Sequence, residues 1–199
     1  MANVWANLRP VTKRMVVGAM QKNQNVFASN SAPVNQQSFY FDAHADWELS
    51  RLLTALDARA IEAEARANRR NYSELNKMAD ACAEVLGQQT ESAEVFIQLV
   101  TRALRRADFE RVDQLADALI DRFSVGEICE IVRQAEHAAV RALAMEALAL
   151  VPTVQLLPAL DDPLYSDIAR QTLETQAVEY NSEEARALLE DLANERYFN

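Results

Sequence analysis

The sequence predicts an all-α chain: an α-solenoid of stacked antiparallel helix pairs, preceded by an irregular N-terminal extension. Three observations carry this expectation. Half of the residues are apolar, yet the 199 residues include only three Gly and five Pro, too few turn residues for a sheet protein. From Asp42 onward apolar residues recur at intervals of three and four almost without a break, the period of a helix with one buried face. The chain also matches itself. A shift of 28 residues lays Val112, Leu115, Ala116, Leu119 and Ile120 on Val140, Leu143, Ala144, Ala147 and Leu148. A shift of 29 lays Ser124, Val125, Ile128 and Ile131 on Thr153, Val154, Leu157 and Leu160, and Val140-Arg141 on Ala169-Arg170. A two-helix unit of this size cannot bury its apolar face alone, whereas stacked copies cover one another. A helical bundle is the alternative arrangement of the same helices.

Residues 1–41 form a separate segment by composition. They contain Arg9, Lys13, Arg14 and Lys22 and no acid, whereas residues 42–199 hold the other 16 basic residues and all 30 acidic ones. Within this arm, Val4, Trp5, Leu8, Val11, Met15 and Val16 follow an amphipathic spacing, with Pro10 admissible only in the first turn of a helix. The stretch 21–37 is rich in Asn, Gln and Ser and is expected to be disordered or extended in isolation. The aromatic run 36–42 is expected to be extended.

The acidic domain, 42–199, reads as nine helices. The first runs from about Asp46 to Arg69, with Trp47, Leu49, Leu52, Leu53, Leu56, Ala60 and Ile61 inside. The second covers about 73–86 and is expected to end at Gly87, the residue that most readily adopts a left-handed C-terminal conformation. The third follows Thr90 as far as about Arg106. Asp108 caps the fourth, whose inner face carries Phe109, Val112, Leu115, Ala116, Leu119 and Ile120. Ser124 and Glu127 form a capping box for the fifth. The sixth spans about 136–150, a short seventh opens at Pro152-Thr153 and closes at Asp161-Asp162-Pro163, the eighth covers about 166–180, and Ser182 opens the ninth.

The segments "LLPALDDPLYSDIAR" (156–170) and "AEHAAVRALAMEAL" (135–148) resemble short HEAT-like helical repeats, in which a first helix ends in an Asp-Pro turn and a second often carries a Val-Arg pair. The resemblance spans roughly residues 94–194. It implies a surface for binding other proteins rather than a catalytic centre, and makes residues 42–90 an N-terminal cap or an irregular first pair.

Chemistry-bearing residues are sparse. If residues 41–48 were extended, Asp42, His44 and Asp46 would project from one face and could hold a divalent metal; the competing expectation is that Asp42 or Asp46 caps the following helix. His137 reads as a solvated residue at a helix start, and Gln134 stands where a di-iron Glu-x-x-His motif needs a carboxylate. No nucleophile elbow and no Gly-rich phosphate loop is present in the sequence. Cys82 and Cys129 match no zinc or redox spacing and read as buried thiols in a reducing compartment. The sequence contains no run long enough to span a membrane and no secretory leader pattern, so a cytoplasmic location is expected.

The expected function is that of a non-catalytic adaptor or structural subunit of a larger assembly, binding protein partners or a second copy and needing no cofactor. Its candidate contacts are Trp5, Leu8, Arg9, Val11, Lys13, Arg14 and Met15 on the arm, with two arginine groups, Arg66, Arg69 and Arg70, and Arg102, Arg105 and Arg106. A helical metalloprotein or enzyme using Asp42, His44 and Asp46 is one alternative; a peripheral membrane or nucleic-acid binder acting through the arm is the other. The net charge of −10 argues against nucleic acid over most of the surface.

Overall fold

The computed structural model describes residues 2–25 and 43–197 and is all-helical among them, with no strand. The aromatic run 36–42, most of the Asn/Gln-rich stretch and the expected domain boundary at 41/42 lie outside the described residues. The chain divides into two compact units, residues 1–95 and 96–199.

In the first unit, α1 (Ala2–Asn7) and α2 (Pro10–Asn25) precede two long helices, α3 (Ala43–Ala65) and α4 (Arg69–Gln89). The latter two form an antiparallel hairpin. Its core is Leu49, Leu52, Leu53, Leu56, Ala60 and Ala63 from α3 against Leu75, Ala79, Cys82 and Leu86 from α4, all buried. Trp47 and Ile61, expected on the inner face, are instead 54% and 67% exposed. The buried stripe of α3 is centred on Leu49, Leu52, Leu56 and Ala60, and these two side chains lie beyond its margins. Gly87 does not end the second helix. The helix continues to Gln89, and the N–H of Thr90 bonds to the carbonyl of Leu86 at 2.9 Å, a closure that requires no left-handed residue.

The N-terminal segment, expected to be irregular, is helical over both of its described stretches. Helix α2 packs on α4 and α3, and α1 on α3. Pro10 occupies the first position of α2, where its missing N–H costs nothing. Leu8, Thr12 and Val16, one turn apart, are buried. A face wide enough for this burial, with a cap supplied from α3, explains why a short acid-free segment is helical.

The hairpin turn is built without glycine. Ala67 has φ 55°, the Ala67 N–H reaches Glu64 O at 2.9 Å, and the Asn68 N–H reaches Ala63 O at 2.9 Å. This is a Schellman closure. Asn68 then caps α4 by accepting from the Asn71 N–H. The second unit repeats the device at Ala107, φ 54°, where the Asp108 N–H bonds to Ala103 O at 3.0 Å and Asp108 caps the next helix through the Arg111 N–H at 3.1 Å. An alanine in this conformation carries about 1–2 kcal/mol of strain, which a glycine relieves less about 0.4–1 kcal/mol of added unfolded-state entropy. Ala107→Gly should therefore raise stability by about 0.5–1 kcal/mol in urea unfolding; an unchanged or lowered midpoint contradicts this account of the turn.

The division between the units falls within α5 (Ala93–Arg105). The second unit continues with α6 (Phe109–Arg122), α7 (Val125–Gln134), α8 (Ala138–Leu150), a 3-10 turn (Thr153–Leu156), α9 (Leu157–Leu160), α10 (Ser166–Val178) and α11 (Glu183–Tyr197). The capping box at the start of α7 is formed: Ser124 N–H donates to Glu127 Oε2 at 2.7 Å, and the Glu127 N–H donates to Ser124 Oγ at 3.3 Å. His137 caps α8, its Nδ1 accepting from the Ala139 N–H at 3.2 Å, and Ser182 caps α11 through the Ala185 N–H.

Helix α8 packs on α6 and on α10, α7 packs on α8 and α9, and α10 packs on α11. Buried positions recur along the three central helices at an interval of 29: Leu115, Ala144 and Leu173, then Leu119, Leu148 and Ala177. The 28-residue shift that best matches α6 to α8 in sequence is thus one residue out of step with their packing. Phe109 and Ile120, expected inside, are 64% and 46% exposed, because the buried stripe of α6 runs through Leu115 and Leu119. Phe123, just past α6, meets Phe96 edge-on at a centroid distance of 5.3 Å, a favourable aromatic geometry.

Candidate functional site

A connected polar cluster of the first unit surrounds Glu48. This carboxylate sits in the first part of α3 with its side chain only 8% exposed. It accepts from the Arg9 N–H at 3.3 Å, from Arg9 Nε at 3.5 Å and from the Thr12 hydroxyl. Helix α2 has Arg9 at its N-cap position, which offers no side-chain acceptor, so a residue 39 positions away supplies the anion that the helix start favours. Burial pushes the Glu48 carboxyl up. Hydrogen bonds from Thr12 and the Arg9 backbone, with the Arg9 side chain and its charge, more than offset this and hold it below its ordinary 4.5.

On the solvent side of the cluster, His44 Nε2 stands 3.6 Å from Glu48 Oε1, so a protonated imidazole forms an ion pair there. The His44 ring lies 5.8 Å from that of Trp47, and the Arg51 guanidinium lies 4.7 Å over the Trp47 ring. Sequence periodicity placed Trp47 in the core and passed over Glu48. The Trp-x-x-x-Arg spacing on a helix was the available signal for the stacked pair.

Of the three candidate metal ligands, the two that are described are not brought together. Asp42 lies outside the described residues. His44 and Asp46 are on a helix, two positions apart and therefore about 200° apart around its axis. The extended backbone that would align them does not form. His44 faces Glu48 and Trp47, while Asp46 is buried and accepts from Gln89 Nε2 at 2.9 Å. Among the described residues no three His, Cys, Asp or Glu side chains gather as a metal set.

The candidate arm residues separate into two groups. Leu8 is buried in its own unit, and Trp5, Arg9, Lys13 and Met15 are partly covered; Val11 and Arg14 are exposed. Lys13 Nζ reaches back to Ala6 O at 2.9 Å, closing the end of α1. Of the first arginine group, Arg66 lies 3.8 Å from Glu62 and Arg70 3.3 Å from Glu74, and all three members are exposed. Arg66 follows the end of α3, whereas Arg69 and Arg70 open α4. In the second group, Arg102 and Arg105 occupy the last turn of α5, where cations suit the helix dipole, with Arg106 directly after. Arg105 and Arg106 are exposed and Arg102 is half-buried.

In the second unit, polar groups are engaged in holding helix ends. Gln176 is buried on α10. Its Nε2 donates to Ala149 O at 3.2 Å and to Val151 O at 2.7 Å, and its Oε1 accepts from the Thr153 hydroxyl at 3.0 Å. One amide thereby satisfies carbonyls at the end of α8 and the hydroxyl that opens the next turn. Arg141 does the same for the end of α7, donating to Ala135 O at 2.6 Å and Glu136 O at 2.9 Å. Arg186 donates to Ala177 O at 3.0 Å at the end of α10.

Glu130 receives Arg133 through two nitrogens at 2.6 and 2.7 Å, together with Gln134 and the Tyr165 hydroxyl. The Arg133 hydrogen bonds lead in pulling its carboxyl down to about 2 against a burial effect, with Gln134 and Tyr165 adding to them. The Cys129 thiol is pushed up to about 11, first by burial and then by the charge of Asp162, which leaves it protonated and unreactive at neutral pH.

Comparison of the chain with protein families, with characterised proteins and with solved structures gives no match.

Proposed function

We propose that this chain is a non-catalytic protein-binding subunit of a larger assembly, with helices α6 to α11 forming a short HEAT-like row of helix pairs. The packing order α6, α8, α10 and the 29-residue recurrence of their buried positions support such a row. So does the direction of the helices: Gln176, near the end of α10, bonds to the last residues of α8, so these two helices end side by side. The polar side chains in this interior close helix ends and leave their hydrogen-bonding capacity spent on structure.

The observation that carries the functional reading is the exposure of apolar side chains on the segments that end there. Leu150, Val154, Val178 and Tyr180 are 52%, 65%, 81% and 47% exposed. Contiguous exposed apolar patches mark interaction surfaces, and we take these four side chains as parts of one. Of the arm's candidate contacts, Leu8 is buried in its own unit, whereas Val11 and Arg14 are exposed. No helix among the described residues is long and apolar enough to cross a membrane.

The double variant Val154→Glu/Val178→Glu tests this reading in the full-length protein. It should leave thermal unfolding within about 0.5 kcal/mol of the parent and release the protein from the complex with which it co-purifies from its native source. Elution of the unaltered native protein as a lone monomer, or an undiminished complex with the double variant, contradicts the reading.

A further inference from the structure

We infer that the exposed rim of the Glu48 cluster, formed by Arg9, His44, Trp47 and Arg51, is a docking site for an acidic peptide segment that carries an apolar side chain. The inference deepens the protein-binding reading above and rests on it.

These four residues form one continuous surface feature. Arg9 and His44 both reach Glu48, at 3.5 and 3.6 Å, and Trp47 links His44 to Arg51. The side chains of Arg9 and His44 are 39% and 60% exposed, Trp47 is 54% exposed and Arg51 is exposed. The acids of the neighbourhood are turned inward: Glu48 and Asp46 are the only acidic residues in 2–25 and 43–54, and both are buried. Within these described stretches of a chain of net charge −10, the exposed ionisable side chains are thus basic, and they stand beside one large aromatic ring.

The chemistry of the face selects its partner. Guanidinium groups hold carboxylates through paired hydrogen bonds. An indole fixed under a guanidinium offers a flat apolar platform that loses little entropy when covered, and Trp and Arg dominate the energetic centres of protein interfaces. A long polyanion or an anionic bilayer would also meet the rest of this acidic chain and be repelled by it. A short segment with a few carboxylates senses only charges within about 8–10 Å, the screening length at physiological salt. The local charges are therefore the ones that count for such a segment, and in residues 2–25 and 43–54 five Lys and Arg stand against two carboxylates.

The test uses the full-length protein and a fluorescein-labelled synthetic peptide of Glu and Asp residues around one Phe and one Leu. Binding read by fluorescence anisotropy should saturate and weaken as salt rises, and should fall at least about tenfold in Trp47→Ala and in Arg51→Glu. Both positions are exposed, and unchanged circular dichroism verifies folding; if Trp47→Ala perturbs the fold, Arg51→Glu alone decides. Absence of saturable binding, or binding undiminished by Arg51→Glu, overturns the inference. Preferential binding of oligo(dT) or of phosphatidylserine vesicles through the same two residues overturns the partner class. Should the peptide fail while Val154→Glu/Val178→Glu still releases the native complex, this site falls and the protein-binding reading stands.

Discussion

Replacing Gln176 with Leu should destabilise the protein by about 3 kcal/mol, the largest single effect expected in the second unit. The substitution keeps the side chain's bulk but removes two donors and one acceptor from a buried position. It strands the carbonyls of Ala149 and Val151 and the hydroxyl of Thr153, and an unsatisfied buried polar group costs about 1–3 kcal/mol. Because Gln176 ties the end of α10 to the end of α8, the loss should appear as a lowered urea midpoint with unchanged helical content at zero denaturant. A double-mutant cycle with Thr153→Val separates the hydroxyl contact from the two carbonyl contacts. A change below about 0.5 kcal/mol would mean that water serves these carbonyls equally well.

Glu48→Ala should cost about 2–4 kcal/mol and loosen α1 and α2 before the rest of the molecule. It deprives the buried Thr12 hydroxyl of its acceptor and the start of α2 of its anion. Hydrogen exchange of the α2 amides should therefore accelerate more than that of α3 and α4. The contribution is also pH-dependent. The carboxyl is held below 4.5 in the folded state, so its stabilisation is fully present above that value and is lost as pH falls through the lowered folded value. The stability difference between the parent and Glu48→Gln should accordingly shrink on going from about pH 7 to about pH 3. A difference independent of pH would show that the carboxylate's charge plays no part in holding the helix.

Local signals made much of the fold legible in sequence. The capping box at Ser124 and Glu127 and the cap at Asp108 both form as their spacing predicts, because each is settled within four residues. The apolar period located the helices of the acidic region, but it gives the width of a stripe better than its centre. That is why Trp47, Ile61, Phe109 and Ile120 were placed inside and lie outside. Gly87 misled because a glycine permits a left-handed closure without requiring one, while the chain uses that conformation at Ala67, Ala107 and Asn181. Glu48 and Gln176 gave no local sign of their roles. Their partners lie 36–39 and 23–27 residues away, and only the packing of helices brings them together. The Trp47–Arg51 pair is legible on a helical wheel, since the two lie one turn apart.

The stacking of helix pairs in the second unit is the claim on which the proposed function stands, and spin-label distances test it most directly. Labels at Asp117 on α6, Glu146 on α8 and Glu174 on α10 occupy exposed positions, and the native Cys82 and Cys129 are buried and resist labelling. Packed helices lie about 8–10 Å apart, so in a row the α6–α10 separation should be about twice the α6–α8 and α8–α10 separations. Three nearly equal distances would place these helices around a common centre and contradict the account.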